Sequence, residues 1–272
     1  MVKKLILSTL KNLGFVPRKW VIGNIREKEY KVINNTIRIK SDKDDAWLFA
    51  LSRNCKYVFD IGSNIGQAAM LMLYHPGIKK LILVDPNPAA LSLAAENMIH
   101  NNHSLRVDFV NAFISDKCDE SIDFYTQDSG AAGSRYKGFA KTAARQNSHY
   151  MVNTLTVDFL VNHFQVVPDL IKVDVEGAER EVLEGCKELA AKGHTFFFVE
   201  IHSGPELSIA DNTNSILNWS KQNNYSAWYL RDKSSLTVES IKGRGRYHAL
   251  LTPNGLAFPE ILRDIKESDP LK

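Results

Sequence analysis

The sequence predicts an α/β protein built on a mostly parallel β-sheet with helices on both faces. Three observations predict it. From Tyr57 onward, short apolar segments alternate with segments of helical length, which is the pattern of successive strand-helix units. The first such apolar segment runs straight into a turn with glycine at 62 and 66, where a strand hands over to a helix. The 272 residues, 44% apolar and 24% charged, suffice for one sizeable core and do not demand a second.

The elements follow in order. Residues 1–44 read as a cap and 45–272 as the main domain. MVKKLILSTLKNLGF predicts a short amphipathic helix, with Leu5, Leu10 and Leu13 among its apolar positions. It lacks the long apolar core and cleavage site of a signal peptide. EYKVINNTIRIK alternates apolar and polar residues around Asn34-Asn35, a hairpin signal. YVFDI (57–61) is the first strand of the main pattern and QAAMLMLYH (67–75) its helix. LILV (81–84), a helix over 89–101 and LRVDFV (105–110) continue it. IDFYTQ (122–127) and NTLTV (153–157) are further strands, separated by a long polar stretch of the kind that is functional or mobile in compact domains. LIKVDV (170–175), a helix over 178–191, TFFFVEI (195–201), a helix over 214–223 and strands near 227–230 and 247–251 complete the chain.

Composition narrows the function. A net charge of +3 is too mild for a nucleic-acid partner, which wants a dense basic face. Cys55, Cys118 and Cys186 are widely spaced and form no CxxC pair, so neither a zinc knuckle nor a disulfide framework is expected. A reducing, cytoplasmic setting is. No run reaches the roughly 18 apolar residues of a transmembrane segment.

In an open α/β sheet, ligands bind outside the carboxyl ends of the strands. The first main strand ends in Asp60-Ile61-Gly62-Ser63-Asn64-Ile65-Gly66. Glycines there let backbone approach a ligand, the following helix offers free N–H groups to a carboxylate, and Asp60 offers charge to an ammonium. The second strand ends in Asp85, an acceptor for both hydroxyls of a ribose. After the third strand, Asn111 carries the donor and acceptor groups of an adenine contact, with Ala112 and Phe113 beside it. Amino-acid end, ribose and adenine in chain order describe S-adenosylmethionine.

The segments FDIGSNIG (59–66), LVDPNPAALSLAAENMIHN (83–101), VNAFISD (110–116) and LIKVDVEGAEREVLEG (170–185) resemble the FkbM-type methyltransferases. The LIKVDVEGAE run is the most specific of them. The resemblance implies a class I methyltransferase (Rossmann-like) fold with a seven-stranded sheet, and O-methylation of a hydroxyl on a sugar, glycan, lipid or secondary metabolite. It implies that Asp60, Gly62, Asn64 and Gly66 line the methionine end, Asp85 the ribose, and Asn111 and Ala112 the adenine side. Ile65, Asn87 and Asp174 are counted as cofactor contacts beside them.

Asp174 ends the fourth strand, while Glu200 and His202 end the fifth, two residues apart and so on one side of it. Three readings are open. His202 is a general base, a neutral imidazole oriented by a carboxylate. Alternatively, the three residues bind a divalent cation; this is less favoured, because hard-metal sites usually show more carboxylates. In the third reading they are structural, capping a helix or filling a loop. Ser134, Arg135, Tyr136 and Lys137 in the long polar stretch are the expected acceptor contacts. A nucleotide-sugar or NAD(P)-dependent oxidoreductase is the main rival, but the G-x-G-x-x-G spacing it needs is missing: Asn64 and Ala69 stand at the wrong places. A non-catalytic protein of the same fold is the second rival.

Overall fold

The computed structural model describes residues 19–33, 36–38, 40–127 and 133–271. Strand β3 (Tyr57–Ile61) lies inside an eight-stranded sheet, flanked by β4 (Lys80–Val84) and, on its other side, by β9 (Leu170–Val173). Beyond β4 lies the edge strand β5 (Val107–Val110); beyond β9 lie β10 (Phe196–His202), β13 (Arg246–Pro253), β11 (Tyr225–Tyr229) and the two-residue edge β12 (Ser234–Ser235). The strands from β5 to β10 are parallel, and β13 runs antiparallel between β10 and β11. The predicted seven strands are therefore present, with β12 as a short addition at the edge.

The connections build outward from β3 in both directions, so the chain reverses its order between β3 and β9. Such a switch point leaves a crevice beyond the carboxyl ends of the two strands. Side chains alternate across each strand and feed two cores. Val58, Leu81, Leu83, Leu170, Phe198 and Leu250 face one; Phe59, Ile61, Ile82, Ile171, Val199 and Leu251 face the other. The first core is closed by helices α1 (Asp45–Ser52), α2 (Gln67–Met72) and α3 (Pro88–His100). The second is closed by α5 (Val157–Phe164), α6 (Glu179–Glu184), α7 (Lys187–Ala190) and α8 (Ile209–Gln222), with α4 (Lys141–Arg145) lying earlier in the chain, outside both.

Local chemistry sets the helix starts. Asn87 accepts from the N–H groups of Ala89 and Ala90 to cap α3, with Pro88 at its first position. Thr156 caps α5 and Ser208 caps α8 in the same way. The single helix expected over 178–191 is broken into α6 and α7. Gly185 is the reason: a Cβ there would stand 2.1 Å from the carbonyl oxygen of Ser115, so the chain bends around that contact.

Two segments differ from expectation in position. The hairpin is formed by β1 (Trp20–Ile25) and β2 (Lys28–Ile33), paired from Trp20↔Ile33 to Ile25↔Lys28. Its turn is therefore Arg26-Glu27, where Arg26 takes a φ of 53°, and the EYKVI segment is the second strand rather than the first. Asn34 and Asn35, and the expected helix with Leu5, Leu10 and Leu13, lie outside the described residues. The hairpin is fastened to α3 by two asparagines: Ile33 N–H donates to Asn97 Oδ1 (2.8 Å) and Lys31 N–H to Asn101 Oδ1 (3.1 Å). Secondly, the predicted strands 122–127 and 153–157 do not enter the main sheet. They are β7 (Ser121–Tyr125) and β8 (His149–Leu155), which form a small sheet with β6 (Phe113–Ile114).

Candidate active site at the strand ends

The crevice between β3 and β9 is an open cleft. Gly62, Asn64, Asp85, Asn87, Ala112 and Asp174 line it, all of them predicted site residues. Phe113, Ile114, Phe124, Val175 and Glu176 also stand in its wall. Gly62 has a φ of 80°, and a Cβ on it would stand 1.8 Å from the carbonyl oxygen of Asp174. Only glycine fits where these two strand ends meet. The turn is also tied to β4, because Gly62 and Ser63 N–H both donate to the carbonyl of Val84 (2.9 and 3.1 Å). Ile65 and Gly66 stand behind the turn, Gly66 against Ala94 and Met98 of α3, and neither lines the cleft.

Asp85 is buried, with both carboxylate oxygens aimed by backbone. Asn64 N–H donates to Oδ2 (2.7 Å) and Asn87 N–H to Oδ1 (2.8 Å). Burial raises its pKa to about 6, against the pull of those two hydrogen bonds. Each oxygen keeps a further lone pair for a ligand hydroxyl. Next to it, Asn64 Oδ1 is buried with no hydrogen-bond partner among the described residues, an acceptor facing a cleft that can receive a donor. Apolar Phe113, Ile114 and Phe124 offer surface for a flat ring. A diol, a donor and a flat ring together fit an adenosine.

Asp60 and Asn111 serve this wall from behind. Asp60 is fully buried, and its Oδ1 lies 3.3 Å from Lys172 Nζ. Asn111 spends its amide on the turn after β4, donating to the carbonyls of Asp85 (2.9 Å) and Pro86 (3.0 Å). Lys172 escaped the sequence reading, although a lysine inside the otherwise apolar LIKV strand is a visible signal. Burial acts to lower its pKa, but Asp60, Asp174, Asp44 and Glu200 outweigh that and hold the ammonium firmly charged. Its Nζ also lies 3.3 Å from Asp174 Oδ2, so one cation joins the cleft to the buried floor.

The adjacency of β9 and β10 brings Asp174, Glu200 and His202 together. His202 Nδ1 lies 2.8 Å from Glu179 Oε1. Its Nε2 faces Glu200 Oε1 (3.6 Å), Glu176 Oε2 (3.7 Å) and Asp174 Oδ1 (3.8 Å). Burial works to lower its pKa, yet Glu179, Glu176 and Asp174 raise it to about 9. These carboxylates favour the charged form of the ring, whereas the general-base reading of the sequence calls for a neutral one. Glu176 and Glu179 were not foreseen in this role, nor were Arg246 and His248, which β13 places beside Glu200 (2.9 and 3.5 Å).

The expected acceptor contacts have other partners. Ser134 is buried and donates to the carbonyl of Glu176 (2.9 Å). Arg135 pairs with Glu181 at 2.6 Å, and the Tyr136 hydroxyl donates to the same carboxylate. Lys137 Nζ sits over the ring of Tyr125. None of the four lines the cleft; Arg135 and Tyr136 fasten the segment after residue 133 to α6, Ser134 to the turn before it and Lys137 to β7.

Residues 60–227 match the family model described as the methyltransferase FkbM domain. No curated protein matches the chain. Among solved structures, a methyltransferase FkbM from Methylobacillus flagellatus KT is 12% identical with a TM-score of 0.48, over 73% of this chain and 43% of that one. The chain thus spans less than half the length of that relative. A putative O-methyltransferase from Klebsiella pneumoniae is 12% identical with a TM-score of 0.45, over 80% of this chain and 83% of that one. The O-methyltransferase from Bacillus cereus in complex with SAH is 11% identical with a TM-score of 0.44, over 78% and 80%. Similarity at this level says nothing of substrate. The family match covers more than half of the chain and includes the cleft, the buried lysine and the carboxylate cluster: the chain belongs to the FkbM methyltransferase family.

Proposed function

We propose that this chain transfers a methyl group from S-adenosylmethionine to a hydroxyl of a sugar, glycan, lipid or secondary metabolite. One observation carries the reading: Asp174 belongs to both halves of the site. It lines the cleft and faces His202 at 3.8 Å, so in this reading an acceptor oxygen near that cluster lies beside the methionine end of a bound cofactor.

The residues divide the work. Asp85 takes the ribose hydroxyls, and the Phe113 side of the cleft receives the adenine. The Gly62–Gly66 turn and Asp174 border the methionine end. The cofactor supplies an activated methyl on a positively charged sulfur. The chain's remaining task is to hold the acceptor oxygen in line and take its proton, mainly a matter of positioning. In this reading the carboxylates gathered around His202 accept that proton. Three free cysteines, two of them buried, favour a reducing compartment such as the cytoplasm. Among the described residues, no helix is long and apolar enough to cross a membrane.

Calorimetric titration with S-adenosylmethionine, then S-adenosylhomocysteine release against pools of hydroxylated acceptors, tests the reading. Binding with release upholds it. Binding without release from any pool would mark a non-catalytic protein, and preference for NAD(P) would overturn it.

A further inference from the structure

We propose that Asp174, Glu200 and His202 hold a divalent cation at the acceptor side of the cleft. The starting point is the orientation of one imidazole. Glu179 is fully buried and fixed on both oxygens: Gly177 N–H donates to Oε1 (3.0 Å) and Asn212 Nδ2 to Oε2 (2.8 Å). This fixed carboxylate accepts from His202 Nδ1. The other ring nitrogen, Nε2, is then turned toward Asp174 and Glu176 of the cleft wall and toward Glu200. It is buried, has no hydrogen-bond partner among the described residues, and faces three carboxylates.

A carboxylate behind one imidazole nitrogen and open ligand positions in front of the other is how metal-binding histidines are held. The distances agree. One atom each from Asp174, Glu200 and His202 all lie within 4.8 Å of one another, and Nε2 stands 3.6–3.8 Å from its carboxylate neighbours. Ligands sharing an ion at about 2.1 Å stand roughly 3 to 4 Å apart. No direct hydrogen bond bridges these gaps among the described residues, and an ion between the three groups would bridge them.

The surrounding charge also favours a cation. Among the described residues, Asp44, Asp60, Asp174, Glu176, Glu179 and Glu200 meet Lys172, Arg246 and two histidines as their cationic partners in this region. Arg246 reaches Glu200 with a side chain that is 47% exposed, so it can withdraw from an oxygen that an ion takes. A second group, Asp44–Glu200–His248, shares Glu200 but includes no residue of the cleft wall. One imidazole among carboxylates suits Mn²⁺ and similar ions. Such an ion would acidify a ligated acceptor hydroxyl, whose proton would pass to Glu176, the neighbouring carboxylate outside the ligand set, while the O–H electron pair stays on the oxygen and makes it nucleophilic.

The test needs neither cofactor nor acceptor, so its result is independent of the methyl-transfer reading. The full chain, stripped with a chelator, is titrated with Mn²⁺ and followed by electron paramagnetic resonance. One site per chain is expected, at least tenfold weaker in Glu200→Gln and His202→Asn, roughly 10- to 100-fold weaker in Glu179→Gln, and kept in His248→Asn. Unfolding curves in chelator check that each variant folds. Should none fold, spin-echo modulation of Mn²⁺ on the unaltered chain must show one imidazole nitrogen. Absence of a bound ion, absence of that nitrogen signal, or loss in His248→Asn with retention in His202→Asn overturns the proposal.

Discussion

The two halves of the sheet, divided at β3 and β9, solve different problems with different materials. On the β3–β4–β5 side the ligand wall is set by backbone: a glycine turn stitched to Val84, an aspartate aimed by two amides, an asparagine bracing the next turn. On the β9–β10–β13 side it is set by side-chain charge, with Lys172, His202, His248 and Arg246 among buried carboxylates. The first arrangement is local and rigid. The second depends on residues drawn from five separate segments, and its charges are mutually dependent. Shape recognition of a constant cofactor suits the former, and tunable chemistry on a variable acceptor suits the latter.

That contrast can be broken by experiment. Removing the lysine should have the largest effect: Lys172→Ala strands the buried Asp60 charge, and loss of one partner from a buried pair costs about 3–5 kcal/mol. Chemical denaturation reads this directly, and a loss below 1 kcal/mol would show that the floor does not depend on charge balance. Next, His202→Asn should lower kcat by roughly 10²- to 10⁴-fold, the range for lost proton handling at the carboxylate cluster it organises, with cofactor affinity unchanged. Equal loss of both would erase the division between halves.

On the other side, Asp85→Ala should weaken S-adenosylmethionine binding by about 100-fold, as two hydrogen bonds to a charged acceptor disappear, with calorimetry as the readout. The smallest effect is that of pH. Burial raises the Asp85 pKa to about 6, and a ribose diol needs the ionised acceptor. Cofactor affinity should be full above that value and fall about tenfold between pH 7 and pH 5. In Asp85→Asn the residue-85 contribution to this slope should vanish; an unchanged slope would assign it to the acceptor half.

Sequence legibility follows the same division. β3, β4, β9 and β10 are short apolar runs ending in turn residues, and their order was readable because each signal is contiguous. So was the Gly62–Asp85 wall, whose parts lie within one strand-helix-strand unit. α1 left no such trace: DAWLFALS is buried over most of its surface, so it has no polar face to mark a helical period. The hairpin was misplaced because Asn34-Asn35 is a stronger turn signal than Arg26-Glu27, whose turn rests on a positive φ at an arginine. The charge on His202 was hidden for another reason. Its neighbours Glu176 and Glu179 are distant in sequence, and adjacency of β9 and β10 alone does not reveal which side chains converge. Ser134, Arg135 and Tyr136 were readable as polar, but their attachment to Glu176 and Glu181 was not.

Asp174 has a consequence beyond its place in the wall. Its carbonyl presses on Gly62, its carboxylate touches Lys172 on one side, and the His202 ring lies across from it on the other. A substitution that displaces the glycine turn would therefore be felt in the carboxylate cluster as well as in the cleft wall. Any coupling carried through this residue must act equally in both directions, so a ligand held at one end and a ligand held at the other would favour or oppose each other by one shared factor.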